Sequence, residues 1–119
     1  MGRSTKDVWA ADAAGTLLLF EPERLTLVTD RAHPLYDPRV HDPADEALVR
    51  SIMAKGVLQP ISCIRDNATG QVLVAAGRRR TIALIEANRR LVAEGKPALR
   101  MPMVPRTDNL AGAMEISAS

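Results

Sequence analysis

The sequence is poor in the residues that would make several functions easy to read. It has one cysteine, Cys63, so neither an intramolecular disulfide nor a cysteine-rich zinc site can form within the chain. That fits a reducing, cytoplasmic setting, with Cys63 a small buried hydrophobe. Aromatic residues make up 3% of the chain and are Trp9, Phe20 and Tyr36. The stacking platforms that hold single-stranded nucleic acid need more than this. No apolar run approaches the roughly 20 residues of a membrane span. No long apolar segment follows Arg3 and Lys6, so a signal peptide is not expected. There is no internal repeat, no Walker-type GKS or GKT, and no arguable Ser–His–Asp or Cys–His arrangement for nucleophilic catalysis.

Charge is present but unevenly distributed. The net value is +2 over 119 residues, a length suited to one compact domain with a real core. Residues 1–76 carry −2, residues 77–106 carry +6, and residues 107–119 carry −2. A basic block within an otherwise balanced chain favours a local anionic partner over a uniform coat of nucleic acid.

The pattern along the chain predicts a mixed α/β (α+β) fold, a small mixed sheet with two main helices. Residues 1–20 read as a flexible or loosely docked segment, with Thr16 to Phe20 either a short strand or a hydrophobic latch. Residues 21–106 form the body, and residues 107–119 begin a trailing helix. Leu25 to Thr29 has the β-branched content of a strand. Three prolines between Arg31 and Pro43 make that stretch a loop. A helix should follow with Asp42 as N-cap, Pro43 at its first position, and Asp45 and Glu46 complementing the helix dipole. Ala44, Leu48 and Ile52 give its apolar stripe, and Lys55-Gly56 ends it. Ile61 to Arg65 and Gln71 to Ala76 should pair as a hairpin through the turn residues 66–70. The second helix is expected over Arg78 to Glu94, its stripe Leu84, Ala87 and Leu91 flanked by Ile85 and Val92. Leu99, Met101 and Met103 alternate as a last strand, and Pro102 and Pro105 assign it to a sheet edge.

Two segments carry the chemistry. At Gly77-Arg78-Arg79-Arg80 a strand runs through a glycine directly into a helix. The first N–H groups of a helix have no intrahelical partner, and glycine lets an anion approach the backbone. Three arginines in that turn oppose the helix dipole at roughly 0.3–1 kcal/mol each, and they repel one another. A bound phosphate removes both penalties, so Gly77, Arg78, Arg79, Arg80 and Thr81 are the candidate phosphate-binding set. In Gly56-Val57-Leu58-Gln59-Pro60-Ile61, Gln59 offers an amide that can read a base edge, and Pro60 holds it out of the helical region. Gly56, Leu58, Gln59 and Pro60 are the candidate base-binding set. A metal site from His33 and His41, with Asp30, Asp37 and Asp42 nearby, is disfavoured because such loop residues are usually solvated.

Together these segments resemble the N-terminal domain of the ParB partition-protein family, which has the ParB/sulfiredoxin fold. Ser51-Ile52 through Ile61 is similar to the family's helix followed by G-hydrophobic-hydrophobic-Q-P-I. Gly77 to Ala83 is similar to its G-E-R-R-x-R-A, with Arg78 in place of Glu and Ile82 in place of the second-turn Arg. Tyr36-Asp37-Pro38-Arg39 resembles the stretch ahead of the family's first helix. The resemblance spans about Leu25 to Arg106, and His33 to Asp37 is worded most like short ParB-like proteins of phages and mobile elements. It implies CTP as ligand, its base contacted by Gln59 and neighbours, and its phosphates held with Mg2+ by Gly77, Arg79 and Arg80. It further implies a part in DNA partition or a phage-related DNA process. DNA contact would be non-specific, since no helix-turn-helix domain is present, and a homodimer is allowed.

The family's downstream Glu/Asn-x-x-Arg element has no counterpart before Ser119, so binding is expected in place of turnover. Sulfiredoxins carry a Cys just before the phosphate-binding helix, where Ala76 and Gly77 stand here. As an enzyme the chain would be a CTPase, a ParB-like DNase or a small-molecule phosphotransferase. A DNase needs carboxylates to hold a divalent metal, and only Glu86 is close in sequence; Asp108 and Glu115 are more distant candidates. A third reading is a structural remnant whose arginines meet a partner's acidic surface.

Overall fold

A computed structural model describes residues 17–106; the reading of residues 1–16 and 107–119, trailing helix included, lies outside them. Five strands form one mixed sheet: β1 (Leu18–Phe20), β2 (Leu25–Thr26), β3 (Ile61–Arg65), β4 (Val72–Ala76) and β5 (Met101–Pro105), in the spatial order β1-β5-β3-β4-β2. β1 with β5 and β3 with β4 are antiparallel, whereas β3 with β5 and β2 with β4 are parallel. Two helices, α1 (Glu46–Lys55) and α2 (Arg78–Ala93), pack against each other on one face. The expected α/β architecture with two main helices is therefore present.

The sheet is buried on both faces, which explains the apolar runs of its central strands. Cys63, Val72 and Val74 point into the main core with Val49 and Ile52 of α1 and Ala83, Leu84 and Ala87 of α2. Ile64 and Leu73 point the other way, under Val28 and Leu35 of the long loop. At this depth burial pushes the Cys63 thiol up to about 12, leaving it protonated and inert. Asn88 fixes the return from α2 to β5. Its amide donates to Leu99 O at 2.9 Å and its Oδ1 accepts from Leu99 N at 2.8 Å.

Several details differ from expectation. α1 starts at Glu46, with the Asp45 carboxylate accepting from Leu48 N at 3.2 Å; Asp45, not Asp42, is the cap, and the buried face is Val49 and Ile52. Residues 38–41 form a 3-10 turn of their own. That turn occupies the chain ahead of Pro43 and delays the helix. β5 is not an edge strand. Met101–Met103 pair with β1 and Met103–Pro105 pair with β3, so each proline falls where only one neighbour is registered. The edges are the three-residue β1 and the two-residue β2. Finally, β2 is two residues long, and Ile85 and Val92 of α2 are exposed.

Candidate functional site

The β3–β4 hairpin delivers the chain into α2. Its turn closes as its sequence requires: Asp66 Oδ1 accepts from Ala68 N at 2.9 Å, and Asp66 N donates to Gln71 O at 2.8 Å. The β3–β4 register shifts at Ser62/Cys63, next to the site, as bulges commonly do. Gly77 then caps α2 in the left-handed region, φ 102° and ψ 27°, with no side chain capping the helix. A Cβ at Gly77 would lie 2.3 Å from Ile61 Cγ2 and 2.8 Å from Ile61 Cβ. Both torsion and space demand glycine here. The N–H groups of Arg78, Arg79 and Arg80 precede the first helical bond, Thr81 N to Gly77 O at 2.9 Å, and so face outward.

These residues border a groove of about 420 Å³ lined by Arg39, Ala75, Ala76, Gly77, Arg78, Arg79 and Arg80. A second groove of about 220 Å³ is lined by Leu48, Ser51, Ile52, Gly56, Val57, Leu58, Gln59 and Arg80. Arg80 belongs to both. Its Nη2 donates to Pro60 O at 3.2 Å, tying the helix start to the Gln59-Pro60 segment. The two predicted sets thus converge on one arginine. Gln59 and Leu58 are exposed at the second groove, Leu58 at 71%. Gly56, at φ 78°, ends α1 and turns the chain into this segment.

The three helix-start arginines have separate environments. Arg79 is exposed and donates to the Asp45 carboxylate that caps α1. That guanidinium is the first cause of a lowered Asp45 carboxyl value. Arg78 turns inward, Nη1 donating to Ala75 O at 2.9 Å and Nη2 to Leu35 O at 2.5 Å. Burial pulls its guanidinium below the usual value. Two hydrogen bonds from a charged donor, about 1.5–3 kcal/mol each, outweigh the roughly 0.3–1 kcal/mol penalty of a cation at this helix end. Thr81 is fully buried, and its hydroxyl donates back to Gly77 O at 3.0 Å. It holds the turn and does not line the groove. Pro60 likewise contributes through its carbonyl.

Sequence reasoning assigned Arg39 to no site, yet it lines the first groove. Asp37 caps the 3-10 turn through Arg39 N at 2.9 Å and grips the Arg39 guanidinium at 3.0 and 2.6 Å. Arg39 in turn holds the Asp37 carboxyl far below the ordinary carboxylate range. The available signal was the Tyr36-Asp37-Pro38-Arg39 stretch, where an Asx residue precedes Pro at the start of a turn.

His33 and His41 do not converge. His33 Nδ1 accepts from Leu35 N at 3.0 Å, and His41 Nε2 lies 3.0 Å from Tyr36 Oη. Among the described residues no group of three His, Cys, Asp or Glu is placed to hold a metal. Glu86 is committed to Arg89 and Arg90, with Arg90 continuing to Glu46 at 2.7 Å.

Comparison with solved structures supports the fold assignment. The fold matches C-terminally truncated chromosome-partitioning protein ParB from Caulobacter crescentus, solved in complex with CTP-gamma-S, with a TM-score of 0.56 and 26% sequence identity. This chain is a ParB-like domain. The match covers 87% of this chain but 51% of the Caulobacter protein. No family model matches the ParB-like chain, and no curated protein matches it in sequence. No helix among the described residues is long and apolar enough to cross a membrane.

Proposed function

We propose that this ParB-like domain binds a nucleoside triphosphate, with CTP the first candidate. The phosphates lie in the Gly77–Arg80 groove and the base lies against Gly56, Leu58 and Gln59. The observation that carries this reading is Arg80, which lines both grooves and donates to Pro60 O, next to Gln59. One ligand with a charged end and a flat, hydrogen-bonding end fits such a pair. The helix-start amides and the guanidiniums of Arg39, Arg79 and Arg80 suit phosphate oxygens. The Gln59 amide suits a base edge. The Caulobacter ParB carries CTP-gamma-S, which supports the choice of nucleotide.

Mg2+ is proposed as a companion of the nucleotide, carried in with its phosphates. Asp37 and Asp45 are paired with Arg39 and Arg79, so the ion would be held mainly by the phosphates, as Mg2+ commonly is. When bound it would neutralise charge between phosphates. The role that follows is a nucleotide-dependent one in DNA partition or a phage-related DNA process, with DNA held non-specifically and a second copy of the chain as a further partner. The nuclease and phosphotransferase alternatives gain no support from Glu86, which is committed to Arg89 and Arg90.

Calorimetry with CTP, ATP and GTP, each with and without Mg2+, tests the reading. Binding of CTP tighter than the other two, strengthened by Mg2+, is expected. If none binds more tightly than about millimolar, equivalent to roughly −4 kcal/mol, the reading fails.

A further inference from the structure

The Arg78 side chain is the least expected element of the site. It stands in a basic turn on a groove suited to anions, yet its two terminal nitrogens are spent on backbone carbonyls from two different segments, Ala75 O and Leu35 O. Ala75 lies on β4, and Leu35 is buried in the smaller core beneath the long loop. Four residues beyond Leu35 is Arg39, which lines the same groove as Arg78 but comes from a different segment, the 3-10 turn. Asp37 lies between them, its carboxylate hydrogen-bonded to the Arg39 guanidinium. A continuous line therefore runs from the α2 start through Leu35 to the Asp37–Arg39 pair.

We propose that Arg78 is a positioning residue: it brackets the Leu35–Arg39 loop to the end of β4 and thereby places Arg39 over the phosphate groove. The inference rests on the nucleotide reading above and assigns Arg78 a part that direct contact with the ligand would not. A planar guanidinium can serve two carbonyls in different directions at once, whereas a lysine ammonium is a compact point charge on a flexible stem. The Arg39 hydrogen bonds chiefly, and the Arg78 charge to a lesser degree, stabilise the ionised Asp37 carboxylate. Removing Arg78 would release the loop that carries Arg39 while leaving Arg79, Arg80 and the helix-start amides in place.

The test is a double-mutant cycle on the full chain, read by calorimetry with CTP and Mg2+. Arg78→Met and Arg39→Ala should each weaken binding about tenfold, and the double variant should be no weaker than Arg39→Ala alone. Arg78→Lys should recover part of the loss. Losses that multiply, or an Arg78→Met variant with unchanged affinity, overturn the proposal. A second measurement needs no ligand. Hydrogen exchange at the Tyr36 and Val40 amides, which donate to His33 O and Asp37 O at 3.0 Å each, should speed up about tenfold or more in Arg78→Met. It should stay unchanged in Arg79→Ala. Unchanged exchange in Arg78→Met sinks the bracket whether or not CTP binds. Faster exchange without CTP binding in the unmutated chain would instead locate the failure in the nucleotide reading. A melted variant is recognised by loss of protection across α2, and Arg78→Lys then carries both measurements.

Discussion

Gly77 meets two demands at a single atom. Its backbone is left-handed, and a methyl group there would overlap Ile61. Gly77→Ala should therefore destabilise the domain by about 3 kcal/mol, combining torsional strain with overpacking. Urea unfolding measures it, and a loss below about 1 kcal/mol would mean that Ile61 yields easily. Gln59 and Arg80 divide differently. Gln59 borders only the smaller groove, whereas Arg80 borders both. Gln59→Ala should weaken CTP about fivefold, the loss of roughly one hydrogen bond, and leave inorganic triphosphate unaffected. Arg80→Ala should weaken both ligands by more than tenfold. Calorimetry with the two ligands separates these outcomes, and equal effects of Gln59→Ala on both would remove it from the base site.

At the scale of elements, α1 and α2 are joined by charge where each also needs it locally. Asp45 caps α1 and receives Arg79 from the start of α2. Asp45→Ala should cost about 1 kcal/mol as a lost cap, while Asp45→Asn, itself a good cap, should cost only a few tenths. The exposed ion pair adds little. Thermal unfolding of the two variants checks this ordering. Glu46 and Glu86 share Arg90, and their carboxyls are lowered from 4.5 to about 2, first by Arg90 for Glu46 and by Arg89 for Glu86. Because the folded value is depressed, their contribution is complete above the unfolded value near 4.5 and is lost as pH falls toward 2. Tm should thus fall between pH 4.5 and 2, and less steeply in Glu46→Gln. An equally steep fall in Glu46→Gln would show that these carboxylates do not carry it.

Much of the element order was legible because its signals are local. The hairpin turn, the glycine stops and the α2 stripe depend on neighbours in sequence. The place of β5 was not, because Pro102 and Pro105 reveal which residues lack an N–H but not which neighbour each would have served. In the site, the glycine turn and the Gln59 segment each carry a local signature, so both could be singled out. That Arg78 faces Leu35 and Arg79 faces Asp45 could not be read. Sequence separations of 43 and 34 carry no periodicity, and three consecutive arginines look alike until a fold gives each a different surrounding. Charge counting located the basic block correctly. It missed that part of that charge is neutralised from the acidic first half of the chain.

The sheet has a consequence for where this chain needs to begin. β1 and β5, the first and last strands, run antiparallel as neighbours, Leu18 opposite Met103 and Phe20 opposite Met101. They are paired as the arms of a hairpin are. A circularly permuted version, with Ser119 joined to Met1 and new ends cut in the exposed Asn67–Thr69 tip, keeps every residue and every strand neighbour. Such a permutant should fold and retain the affinity of the unpermuted chain for CTP, because the tip lies at the end of the β3–β4 hairpin away from Gly77. Chain order would then be a matter of history here, while the order of strands across the sheet is what the site requires.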